Sequence, residues 1–215
     1  MNSHSRFATK RTPVTSRGQR TRQALLDGAE KVFGKVGFEH ASIALITTEA
    51  GVAVGAFYMY FRSKEAIFTA LVDELGTRLR RAIAERIGVG GHENRLVIER
   101  EGLRAFFDFA AEHRQLYRII RQAEFVDETA FRRYYRSLAA GYTEGLKAAM
   151  KKGEVRTMDA EVLAYALMGI ADFIGMRFVL WGDRTRRREH VIDQVTGFLL
   201  EGLTVTPKRR PRSKS

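Results

Sequence analysis

Six aliphatic residues, Ile67, Leu71, Leu75, Leu79, Ile83 and Ile87, fall at every fourth position behind a Ser at 63. That repeat draws one apolar stripe along a long helix, and Ser63 is a suitable cap for its start. The same three-and-four spacing recurs upstream in Ala24, Leu25, Ala29, Val32, Phe33 and Val36, where Gly37 supplies a stop. Ser42 then caps a short helix holding Ile43, Leu45, Ile46 and Ala50, which Gly51 ends. Strand-like alternation is almost absent and there are only 3 Pro, so the chain is expected to be all-α.

One run resists that pattern. Phe57-Tyr58-Met59-Tyr60-Phe61 would read in isolation as a buried strand, since aromatic residues favour strands. Its flanks decide otherwise: a helix-terminating Gly51 precedes it, Ser63 opens the long helix after it, and no partner strand lies nearby. A helix over about 53–60 follows, with Phe57 and Phe61 on one face as anchors. Val54, Ala56, Tyr58 and Tyr60 lie toward other faces. Two short helices joined through a Gly-containing turn make a helix-turn-helix. The Tyr residues can be read as part of an outer, hydroxyl-tipped surface or as core with a satisfied hydroxyl.

Charge locates the expected contact with phosphate. Of the formal net charge of +12, six basic residues without an acid lie in 1–22 and five in 206–215, leaving a nearly neutral body. Residues 1–18 and 206–215 are therefore expected to be disordered basic arms, either solubilising tails or attractors of phosphate. There is no Cys, which excludes disulfides and thiolate metal sites and suits the reducing cytoplasm. The five His never fall at i, i+4 with a carboxylate, so no metal or other cofactor is expected. Gly88-Val89-Gly90-Gly91 lacks the Lys-Ser/Thr of a phosphate cradle and reads as a loop, and no Ser-His-acid set can be assembled. An enzyme is not expected. No apolar run is expected to reach the roughly 20 residues of a membrane span, so no membrane partner is expected either.

The stretch from about residue 19 to 72 resembles the DNA-binding head of the tetracycline-repressor (TetR) family. The likeness is carried by the opening Thr-Arg helix, Phe-Gly-Lys-Val-Gly-Phe, the Ala-Gly-Val turn and Gly-Ala-Phe-Tyr-Met-Tyr-Phe-Arg-Ser-Lys-Glu. The resemblance implies a helix-turn-helix domain over 19–65, a helical ligand-binding and dimerisation body over 66–205, and a homodimer on a pseudo-palindromic double-stranded operator. It also implies that Tyr58 and Lys64 touch phosphates, that Ser42 faces the backbone, and that Ala44, Val54, Gly55 and Ala56 meet bases. Thr47, Thr48 and Tyr60 complete the expected surface, with Arg17 and Arg20 from the arm. The base-facing set carries no hydrogen-bonding side chain, so bidentate readout is missing and thymine methyls, backbone groups and DNA shape must carry more. Ala53 stands where the family often has Ser or Thr, leaving the third helix without a side-chain cap.

The body divides into further amphipathic helices: Leu96 to Ala110, Leu116 to Ala123, Phe131 to Met150, Ala160 to Trp181 behind Asp159, and about 184–203. The last two could pair with their copies as a four-helix interface centred on Leu163, Leu167, Ile170, Ile192, Val195 and Leu199, or simply complete a monomer core. Aromatic and charged residues on these helices would surround a cavity for a small inducer: Phe106, Tyr117, Arg121, Glu124, Phe131, Tyr135, Tyr142, Phe173, Arg177 and Trp181. Arg121, Glu124, Asp172 and Arg177 lie within otherwise apolar helices, where burial would demand a partner or a ligand's polar end. A weaker resemblance of Leu116 to Trp181 to regulators of lipid and acyl-thioester metabolism suggests an acyl compound. Two functions stay open: a repressor released by its ligand, or a protein that coats DNA without sequence preference.

Overall fold

A computed structural model describes residues 15–89, 94–181 and 188–203. The basic tail, most of the basic arm, and Gly90 and Gly91 lie outside them; Gly88 and Val89, expected in a loop, are instead the last residues of a helix. Every regular element among the described residues is helical: α1 (Ser16–His40), α2 (Ile43–Glu49), α3 (Val54–Tyr60), α4 (Lys64–Val89), α5 (Arg95–Glu112), α6 (Leu116–Val126), α7 (Glu128–Lys151), α8 (Ala160–Gly175) and α9 (Arg188–Leu203). One turn of π-helix, Met176–Leu180, extends α8. Such turns widen the backbone locally and re-aim the side chains they carry.

The elements end where local chemistry dictates. Ser42 caps α2 by accepting from the Leu45 amide at 3.2 Å, and Asp159 caps α8 by accepting from Glu161 and Val162. Gly51, between α2 and α3, has φ 66°, a conformation that a side chain would strain. The helical geometry of α1 breaks at Gly37, with φ 82° and ψ 166°. One boundary moves: α1 begins inside the expected arm, because Thr15 accepts from the Gly18 amide at 3.1 Å. Arg17 is thus a helical residue.

The chain forms two compact units. The first takes the residues up to Ala82 together with Phe107–Leu138. It holds α1–α3, most of α4, the end of α5, α6 and half of α7. Its centre is aromatic: the Phe33, Phe38 and Phe68 rings meet at centroid distances of 5.1–5.7 Å, and Phe57 and Phe61 are wholly buried. Burying each ring contributes on the order of 2–3 kcal/mol.

The second unit takes Ile83–Phe106 and the residues from Ala139 onward. Its core packs Leu146, Ala149 and Val155 against Ala160, Leu163, Ala164, Leu167 and Leu203. A buried ion pair joins it, since Arg95 Nε and Nη2 donate to Glu99 Oε1 at 2.7 and 2.6 Å. Both residues are 6% exposed. The helix Ala160–Leu180 has 21 residues and a mean hydropathy of 1.6, enough in length and composition to cross a membrane. The expectation that no run reaches that size is corrected, although Leu163, Ala164 and Leu167 show one side of this helix packed into protein.

Candidate nucleic-acid interface

α3 is seven residues long and would not persist alone, since so short a helix cannot offset its nucleation cost. Phe57 and Phe61 hold it, both fully buried and 5.7 Å apart between ring centroids. That anchoring turns Val54, Gly55, Tyr58 and Met59 outward, and all four are exposed. Ala56 and Tyr60 are half-buried. Ala53 is the N-cap of α3 and makes no side-chain capping bond. The Tyr58 ring sits edge-on to Phe57, with centroids 5.4 Å apart.

On α2, Ile46 and Thr47 face inward while Ala44, Leu45 and Thr48 are exposed. Thr47 is 1% exposed and its hydroxyl donates to the Ala44 carbonyl, so it is corrected from an interface residue to a core one. Ser42 is exposed, with its hydroxyl engaged in the cap. Arg17 and Arg20 are exposed on the first turns of α1, and Arg22 lies 5.6 Å from the Phe61 ring centroid. Leu45 and Met59 are exposed residues that the sequence reading did not single out.

Lys64 needs the largest revision. Its ammonium donates to three main-chain carbonyls at the end of α1, Phe38 at 2.8 Å, Ala41 at 3.1 Å and Glu39 at 3.4 Å. It also lies 4.3 Å from the Phe38 ring centroid. An ammonium has three protons, and three acceptors occupy them. Lys64 is a clasp within the fold, not a ready donor to phosphate. α6 grips the same segment: Arg118 donates to the Gly34 and Lys35 carbonyls, both at 2.9 Å, and the Phe38 amide donates to Gln122 Oε1 at 2.5 Å. Gln115 fills the space beside Gly34 that a Cβ would need. Sequence reading missed this grip, whose only trace is a polar stripe Gln115-Arg118-Gln122 beside the apolar face of α6.

The residues expected to line a ligand cavity are divided between the units. In the first, Tyr117 is buried, and Phe131 and Tyr135 are half-buried with rings 5.0 Å apart. Arg121 and Glu124 are exposed, so they carry no burial cost and need no buried partner, contrary to expectation. In the second, Phe106 is half-buried, while Phe173 and Trp181 are 64% and 59% exposed. Arg177 is half-buried, 5.2 Å from the Phe178 ring centroid, and Asp172 is half-buried. The buried charge of this unit belongs to Arg95 and Glu99. The Tyr142 hydroxyl donates to Glu99, and burial, followed by that carboxylate, pushes its pKa well above the ordinary phenol value. Gly145 leaves room for Arg95, whose Nη1 lies 2.6 Å from where a Cβ would stand.

The expected interface residues are mostly internal. Leu163, Leu167, Ile192 and Val195 are buried within the chain itself, and Ile170 and Leu199 are half-buried. The apolar surface left outside on these helices is Val162, Tyr165 and Phe173 of α8 and Phe198 of α9, between 40% and 67% exposed.

Residues 25–71 match the family model of bacterial regulatory proteins of the tetR family. An HTH-type transcriptional repressor of Mycobacterium tuberculosis is 30% identical over 181 residues, 81% of this chain and 90% of that protein. An uncharacterized HTH-type transcriptional regulator of Bacillus subtilis is 29% identical over 172 residues, 79% of this chain and 86% of its own length. Among solved structures, the fatty acid degradation regulator FadR from Bacillus halodurans superposes with a TM-score of 0.75 at 20% identity, covering 89% of this chain and 97% of that one. FadR from Bacillus subtilis, in complex with stearoyl-CoA, gives 0.73 at 20% identity over 84% and 98%. At such identities these structures bear on the fold alone. With a helix-turn-helix in its first unit and a repressor 30% identical over 81% of its length, the chain belongs to the TetR family of bacterial transcriptional regulators.

Proposed function

We propose that the protein is a repressor: a homodimer that holds a pseudo-palindromic duplex operator through α2 and α3 and lets go when a small amphipathic molecule binds. The observation that carries this reading is the split of α3, with Phe57 and Phe61 wholly buried and Val54, Gly55, Tyr58 and Met59 turned out. A major groove admits one helix, and dimeric readers of this kind place two such helices about 34–36 Å apart. Exposed Arg17 and Arg20 support phosphate contact. They sit at the positive end of α1, whose first turn holds no acid, so nothing in that turn offsets their charge. Arg6, Lys10 and Arg11 lie outside the described residues. A partner of this kind places the protein in the cytoplasm.

Dimerisation is assigned to the exposed side of α8 and α9, through Val162, Tyr165, Phe173 and Phe198. Apolar side chains exposed to this extent on neighbouring turns suit a symmetric contact between copies. The ligand is proposed to be a long apolar molecule with a polar end, of the acyl-thioester class. The likeness in fold to FadR, bound to stearoyl-CoA in the Bacillus subtilis protein, supports that class. Arg177 is retained as the contact for the polar end, and exposed Arg121 is not. The test is fluorescence anisotropy on duplexes drawn from DNA upstream of the protein's own gene, followed by addition of acyl thioesters, aromatic acids and lipophilic cations. Saturable binding at a preferred site, released by the first class and blunted in Arg177→Ala, is expected. Equal affinity for all duplexes would instead favour non-specific coating.

A further inference from the structure

We infer that the duplex-facing surface reads its operator through thymine methyl groups, with Leu45, Val54 and Met59 as the residues that set specificity. The inference rests on the operator-binding reading above and supplies the base chemistry that reading leaves open. Leu45 is 48% exposed, Val54 49% and Met59 69%, on the sides of α2 and α3 that the buried Ile46 and Phe57 turn outward. The polar candidates nearby are engaged within the fold. Thr47 is buried on the Ala44 carbonyl, Ser42 caps α2, and Lys64 clasps the end of α1. Of the other exposed positions of this surface, Ala44 and Gly55 carry nothing that can hydrogen-bond a base edge, and Thr48 and Tyr58 carry the hydroxyls.

Among the groups that base edges present in the major groove, the thymine C5-methyl is the apolar one. A surface of Leu, Val and Met meets that methyl favourably, and it meets the acceptors of guanine or the amino group of cytosine without a partner. Val54 and Met59 lie five residues apart, about 7.5 Å along the helix, a little over two base-pair steps of about 3.4 Å. Five residues also turn the helix by about 140°, so the two point to different sides of the groove and can address different base pairs of one half-site. Met59, unbranched and polarizable, fits a methyl whose position varies slightly with local DNA geometry. Tyr58 and Thr48 stand on the same surface and suit the backbone that frames the site.

The full-length chain should be used to select duplexes from a random library, and the selected half-site then remade base by base. Replacing thymine with uracil removes only the methyl. At two or more selected thymines this is expected to weaken binding about fourfold each, the effect of losing one buried methyl. Replacing the same T·A pair with 5-methylcytosine·G keeps a methyl and changes the hydrogen-bonding groups, and it should be tolerated better than cytosine·G. Val54→Ser and Met59→Gln, confirmed as folded by thermal melting, should no longer distinguish thymine from uracil at their own positions. A preferred site indifferent to uracil throughout, or to methylation of cytosine, overturns this inference and leaves the operator-binding reading in place. Selection that yields no preferred site overturns both.

Discussion

α3 and α8 are both apolar around most of their circumference, yet only α3 has a rotation that could be read beforehand. Phe57 of α3 and Phe61 at its C-cap share one face by spacing and are wholly buried, while Val54, Tyr58 and Met59 are exposed. α8 has Leu163 and Leu167 on one face and Val162, Tyr165 and Phe173 on another, of similar bulk. Periodicity then specifies a helix without specifying its rotation. The protein resolves the ambiguity through Leu146, Val155 and Leu203, which select the leucine face and leave the other one exposed. An apolar helix with two equivalent faces can bury one in its own core and leave the other available for a contact.

The comparison can be broken most directly at its anchors. Phe57→Ala is expected to destabilise the protein by about 3–5 kcal/mol, because α3 has little else to hold it. Met59→Ala, one turn face away, should stay within about 0.5 kcal/mol. Urea denaturation monitored by circular dichroism measures both. Comparable losses would mean that the two faces of α3 are not distinct.

On α8 the corresponding pair separates stability from assembly. Leu167→Ala should cost about 2–4 kcal/mol of folding stability, as expected for a buried leucine. Phe173→Glu should leave the protomer folded and convert dimers to monomers in sedimentation velocity, with operator binding lost. If Phe173→Glu remains dimeric, the contact between copies lies on another surface.

Lys64 tests whether the edge of the head is built for folding or for DNA. Its three carbonyl acceptors predict that Lys64→Ala destabilises by about 1–3 kcal/mol. The slope of log affinity against log salt should stay unchanged where the variant remains folded, whereas a lost phosphate contact would flatten it by roughly 0.9.

Most helices, their caps and the Phe57–Phe61 anchor were legible in the sequence because they depend on neighbours three or four residues away. Ser42 and Asp159 are caps by chemistry alone, and Gly51 marks its turn. Thr15 escaped notice because the surrounding composition suggested an unfolded arm. The revised residues depend on distant partners. Lys64 reaches Phe38 and Ala41, Gln122 reaches Phe38 from a separate helix, and Arg95 pairs with Glu99 only beside Gly145 and Tyr142. Thr47 was misplaced for a subtler reason. A hydroxyl on a short helix can face DNA or fold back on its own carbonyl, and α2 is too short for periodicity to decide.

The smallest expected effect concerns the start of α3. Ala53 already holds φ −68° and ψ 144°, the extended geometry of an N-cap, so a Ser there would need no backbone change. Ala53's carbonyl accepts from the Ala56 amide, while the Gly55 amide lies too early in the helix to find an intrahelical carbonyl. A hydroxyl at position 53 can accept from it. Ala53→Ser is therefore expected to stabilise the protein by about 0.5–1 kcal/mol in urea melts. Because the outward face of α3 is untouched, the preferred operator should not change. A gain well above that range would mean that α3 frays in the native protein and that Phe57 and Phe61 do not hold it alone. No gain would mean that the anchors already fix the first turn. That second outcome would strengthen the contrast with α8, whose first turn is held by the Asp159 carboxylate as well as by its packing.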